Sequence, residues 1–146
     1  MDNAINDLLD AIIPDLANLV ADMRFWIGAA MVVGPVLFLA LAAYYLFLAP
    51  PEANHKAGYR TYFGMGSLPA WRYTQNFAGK VFAVAGGLLT VAAIVGCIMM
   101  ANREMAEAFT PALIILVIEV VVAVIAYAVV EITVACRFDA NGNRRK

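Results

Sequence analysis

Apolar residues along this chain fall in long blocks, and the blocks set the architecture. Phe25 to Ala49 carries no charge, Val81 to Ala101 carries none, and Ala112 to Cys136 is interrupted only by Glu119 and Glu131. A helix needs about 20 residues to cross roughly 30 Å of hydrocarbon, and there it satisfies its own backbone hydrogen bonds. Each block meets that length. Upstream the pattern changes: Ile5, Leu8, Leu9, Ile12, Ile13, Leu16, Leu19, Val20 and Met23 recur at three- and four-residue steps, with Asp7, Asp10, Asp15, Asn18 and Asp22 on the opposite arc. That spacing predicts an amphipathic helix over residues 3–23, kinked or split at Pro14. The expected fold is an all-α membrane protein, three transmembrane helices preceded by an amphipathic N-terminal helix.

Composition supports lipid as the solvent. Of 146 residues, 64% are hydrophobic and 14% charged, an apolar excess that a chain this short cannot hide from water in one core. Orientation follows from Lys and Arg, which mark the cytoplasmic side. Lys56, Arg60, Arg72 and Lys80 lie between the first two blocks, and Arg137, Arg144, Arg145 and Lys146 follow the third; the other side holds Arg24 and Arg103. The expectation is a multi-pass protein of the cytoplasmic membrane. Residues 1–24 form an acidic helix outside, and residues 25–146 form the three-span bundle with its C-terminus in the cytoplasm. No basic n-region precedes the first block, so that span is expected to be retained. Nothing in the charge pattern suggests nucleic acid. The outer helix bears Asp where interfacial helices bear Lys and Arg, which leaves two readings: docking on the bundle or bilayer, or packing on a protein partner.

Within the first span Gly34 and Pro35 predict a bend. Trp26, Tyr44 and Tyr45 have the rings of an interfacial belt. Small residues (Ala83, Ala85, Gly86, Gly87, Ala92, Ala93, Gly96) make the second span a close-packing helix.

The long connection, residues 50–79, is both basic and aromatic: Tyr59, Tyr62, Phe63, Trp71, Tyr73 and Phe77 interleave with Lys56, Arg60 and Arg72. Such side chains suit a cytoplasmic interface, rings among headgroups and guanidinium groups on phosphates. Ser67 has N-cap chemistry for a helix starting near Leu68 and Pro69, running through Trp71 and Phe77 into the second span.

The stretch Gly58-Tyr59-Arg60-Thr61, followed by Met65, Ser67, Trp71 and Gly79-Lys80 at the entry to an apolar helix, resembles the signature of the SdpI-type family of bacterial membrane proteins. That family is named for an immunity protein against a sporulation-delaying toxin peptide. Ala70 stands where the pattern carries an acidic residue, and Tyr62 where it carries Pro. The resemblance implies a non-enzymatic protein that protects the membrane against a membrane-active peptide toxin, by binding it or by altering its target. Arg60, Thr61, Ser67, Trp71 and Lys80 are then the functional loop residues.

Catalytic chemistry has no foothold in the pattern. His55, the one histidine, sits beside Lys56 as a solvated loop residue, and no metal-ligand spacing, phosphate-cradling glycine loop or nucleophile with a base is present, so neither a metal nor a cofactor is expected. Cys97 and Cys136 lie on opposite leaflets, beyond the roughly 7 Å reach of a disulfide, and read as buried free thiols. Glu119 is the sharper signal. It lies about 12 Å down the third span, where a carboxyl must face protein or water. It is either a functional site, protonatable or in contact with a partner subunit, or a protonated carboxyl bonded to a neighbouring carbonyl or to Thr90. Glu131, nearer the interface, can reach water or Arg137. Besides immunity, two further roles remain: an accessory or structural subunit of a larger membrane complex, held by the acidic helix and Glu119, and a small oligomeric transporter, against which the lack of a polar pathway or inverted repeat argues.

Overall fold

A computed structural model describes residues 23–101 and 105–145, so the amphipathic helix expected near the N-terminus falls on residues outside the described ones. Three long helices carry the fold. Helix α1 spans Met23–Ala43 and widens into a π-helical turn at Tyr44–Leu48. Helix α2 spans Leu68–Ala101 and α3 spans Met105–Arg137. Segments Phe25–Leu48, Leu68–Ala101 and Phe109–Arg137 are each long and apolar enough to cross a membrane. Among the described residues there is no strand, only an isolated antiparallel bridge between Phe138 and Arg144.

The start of α2 follows from Ser67. Its hydroxyl oxygen accepts from the Ala70 N–H at 3.3 Å, and its carbonyl accepts from the Trp71 N–H at 2.9 Å, the geometry of an N-cap. The third helix begins well before Ala112 and carries Pro111 within it. Likewise Pro35 lies inside a continuous α1. Proline inside a membrane helix is tolerated because neighbouring helices and local adjustment answer the freed backbone group.

Helix α2 packs against both others, and its small residues are the reason. Ala85, Gly86, Ala93 and Gly96 are buried; a side chain at Gly86 would meet Leu39 of α1, and one at Gly96 would meet Ile115 of α3. Gly87 has open space instead, so it belongs to the outer face. The core divides in two. Phe38, Tyr59, Phe82, Leu89, Val130 and Phe138 belong to the cluster at the loop end, and Met31, Ala93, Met100, Ala112 and Ile115 form the other. Outside these clusters the helices present Val36, Val84, Leu88, Ile94, Val120 and Ile132, all exposed, which is the belt that lipid covers.

Candidate functional site

The connection between α1 and α2 folds into a cap built around the first turns of α2. Trp71 is its post. The side chain is fully buried, at 0% exposure, and its indole N–H donates to the Pro50 carbonyl at 2.8 Å, which ties the start of the loop to the helix. Gly58 packs on the same ring. Its φ is +93°, a conformation that costs most side chains about 1–2 kcal/mol, and a Cβ there would stand 2.7 Å from the indole. One turn along α2, Gln75 offers its amide to the backbone of Tyr59. The Tyr59 N–H donates to Oε1, and Nε2 donates to the Tyr59 carbonyl, both at 2.8 Å. A buried glutamine thus replaces the ladder partner that an extended loop segment otherwise lacks.

The next loop residues turn on Thr61. It is buried, its hydroxyl oxygen accepts from the Gly64 N–H at 2.7 Å, and its carbonyl accepts from Met65 at 3.2 Å. Ser67 does two things at once: besides capping α2, its hydroxyl donates to the Gly142 carbonyl at 2.7 Å. The segment after α3 turns back to make this contact. Asp139 accepts from the backbone N–H groups of Asn141 and Asn143 at 3.0 and 2.7 Å, and Gly142 takes a φ of +72°. Hydrogen bonding from Asn143 is the main reason the Asp139 carboxyl sits below its ordinary pKa. Gly66 and this turn touch backbone to backbone, since a Cβ on Gly66 would lie 2.8 Å from the Asn141 carbonyl carbon. Cations finish the join. Arg137 lies 4.6 Å over Tyr73 and donates to its hydroxyl at 3.2 Å, and Arg145 lies over Phe63.

Beneath the cap the rings of Tyr45, Tyr59 and Phe82 meet, with Tyr127 at the edge. Tyr45 therefore packs inward rather than serving as a simple belt residue, whereas Trp26 stays exposed beside Phe25. Tyr59 is 8% exposed and its hydroxyl has no hydrogen-bond partner among the described residues. Burial, reinforced by Glu131, Tyr127 and Tyr45, raises its pKa above the ordinary phenol range. The carboxyl of Glu131 takes its hydrogen bond from Tyr127, one turn earlier, while Arg137 goes to Tyr73.

The residues singled out from the sequence therefore part company. Thr61, Ser67 and Trp71 meet in the cap and hold it. Arg60 and Lys80 stand outside it, exposed. The Arg60 guanidinium donates through Nη1 to the His55 carbonyl at 2.6 Å, which fixes where it stands and leaves the rest of its donor fork outward. Arg72 and Asn76, one turn apart on α2, border a shallow cavity of 170 Å³ walled by Tyr45, Pro50 and Pro51. Glu119 is elsewhere, in the layer between the two core clusters, against Gly34 of α1: a Cβ at Gly34 would lie 2.7 Å from its carboxyl carbon. Its Oε1 is buried without a hydrogen-bond partner among the described residues. The Thr90 hydroxyl turns back to the Gly86 carbonyl at 2.7 Å instead of donating to it. Both cysteines are free, but neither is buried as its apolar setting suggested: Cys97 is half-buried and Cys136 exposed.

Sequence reasoning missed Gln75 and the tail contact. Gln75 had a readable signal, since it follows Trp71 by one helical turn and so shares its face. The tail contact had none, because it joins residues 75 positions apart.

A family model describing the SdpI/YfhL protein family matches residues 52–130, which take in most of the cap, all of α2 and most of α3. No curated protein and no solved structure matches the chain.

Proposed function

The chain belongs to the SdpI/YfhL protein family, and from that premise we propose that it is a non-enzymatic immunity protein, guarding a bacterial cytoplasmic membrane against a membrane-active peptide toxin. The observation that carries this reading is the family match itself, which runs through the loop that forms the cap. Geometry adds a division of labour. Trp71, Thr61 and Ser67 hold the cap, and Arg60 is the exposed group with donors to spare for a carboxylate or phosphate. Insertion is with the N-terminus outside and the cap and tail in the cytoplasm, on the strength of eight of the ten Lys and Arg lying in residues 56–80 and 137–146.

The test separates Arg60 from the residues that hold the cap. Arg60→Lys keeps the charge but loses the planar fork, and should lose much of the protection of a sensitive host at unchanged expression and unfolding temperature. Full protection by a well-folded Arg60→Ala protein removes Arg60 from the mechanism. Labelling single cysteines in intact cells checks the orientation: a probe at Asn3 should react and one at Asn141 should be shielded.

A second reading, an accessory subunit of a larger membrane complex, is favoured by Glu119, whose buried Oε1 has no partner within the described residues. Stoichiometric partners after pull-down in mild detergent, lost in Glu119→Ala, would put this reading first.

A further inference from the structure

Between α2 and α3 a groove of 430 Å³ opens on the outer face of the bundle. Ala85 and Ala126 are buried and form its floor. Its walls are Val84 and Leu88 on one side and Ile125 and Val129 on the other, each exposed. Apart from Lys80 at one end, every lining residue is aliphatic. The two helices run antiparallel, so Lys80 and Val129 mark one end, and Leu88 and Val122 the other.

The level of Lys80 in the bilayer follows from the sequence. Val81–Ala101 is free of charge and, at 1.5 Å per residue, covers about 30 Å, the thickness of the hydrocarbon layer. Lys80 therefore stands at one boundary of that layer, where phosphates lie. From Lys80 to Leu88 the groove extends about 12 Å, within the roughly 15 Å that belongs to one leaflet. A slot with an ammonium at the headgroup level and nothing polar below it matches one kind of occupant, an amphiphile with an anionic head and a hydrocarbon tail. Its small-residue floor makes room for a chain where a larger side chain would fill the seam.

We propose that this groove is a binding site for an anionic phospholipid, with one acyl chain between α2 and α3 and the phosphate on Lys80. A second groove supplies the contrast. It lies between α1 and α2, has a volume of 350 Å³, and is lined by Val32, Leu39, Ala93 and Ile94 among others, with no charged residue on its lining. That groove can hold a chain but cannot choose a headgroup.

The full chain in mild detergent, titrated with phosphatidylglycerol or with phosphatidylcholine of the same acyl chains, tests the assignment by native mass spectrometry of bound lipid. Wild type should bind phosphatidylglycerol about fivefold more tightly, the factor one basic residue near an anionic layer contributes. Lys80→Ala should abolish that preference and Lys80→Arg should retain it. Val84→Trp, on an exposed wall position, should fill the groove and weaken both lipids. Arg72→Ala, a cation away from the groove, should leave the preference intact. A preference that survives Lys80→Ala or falls equally in Arg72→Ala, or lipid binding that is as tight in Val84→Trp as in wild type, overturns the proposal.

Discussion

The cap and the middle of the bundle are held in different ways. In the cap, identity matters atom by atom: an indole N–H on one carbonyl, a glutamine amide on the N–H and C=O of one residue, a serine hydroxyl shared between a helix end and a distant turn. Across the middle of the spans the helices meet through Ala85, Gly86, Ala93 and Gly96, with few polar groups. The contrast has a physical cause. Loop backbone must find a partner for every buried N–H and C=O, and only particular side chains reach them. Helix backbone is already satisfied, so packing in the bilayer asks only for shape. Glu119 is the exception that sharpens the rule, a carboxyl placed where shape alone decides everything around it.

Breaking the cap should have the largest effect. Trp71→Ala removes a fully buried ring and the tie to Pro50, and should destabilise the protein by about 3–5 kcal/mol in unfolding titrations with a denaturing detergent. Gln75→Leu keeps volume but orphans both backbone polar groups of Tyr59. A loss of about 1–3 kcal/mol per group is expected, seen also as faster proteolysis between residues 50 and 67. In the bundle, Gly34→Ala drives a methyl into the Glu119 carboxyl and should cost about 1–3 kcal/mol. In a Glu119→Ala background the same change should cost far less, and equal costs in both backgrounds would mean that the contact is not formed.

The smallest effect should come from Asp139. Its folded carboxyl titrates below the ordinary value, chiefly through the Asn143 backbone. Its contribution is thus complete above the unfolded pKa of about 3.9 and is lost as pH falls through the folded one. Tail signals followed by NMR in detergent should shift in that acid window in the wild type and not in Asp139→Asn.

Much of this was readable from the residues. Block length marked the three spans, and Ser67 marked the start of α2, because both are local rules acting over one helix or one turn. The Gly58 to Lys80 pattern pointed to the family, but it did not tell posts from exposed groups: Trp71 and Arg60 stand in one motif, yet one is buried and the other is not. That distinction depends on how the loop folds back over α2, which no local periodicity encodes. The sequence marks the tail as a basic end. The use of its basic residues as clamps on Tyr73 and Phe63 depends on Asp139 and Gly142 turning the chain, and on Gly66 letting two backbones touch. Glu119 was recognisable as an anomaly by its charge, while its neighbour Gly34 looked like half of a hinge.

The bond from Ser67 to Gly142 also sets a clock. Its two ends are 75 residues apart, and a ribosome adding about 5–20 residues per second needs roughly 4–15 seconds to get from one to the other. Through that interval the loop has its Trp71 post but lacks its latch, and the third helix has still to be threaded into the bilayer. Closure of the cap therefore reports that threading is complete.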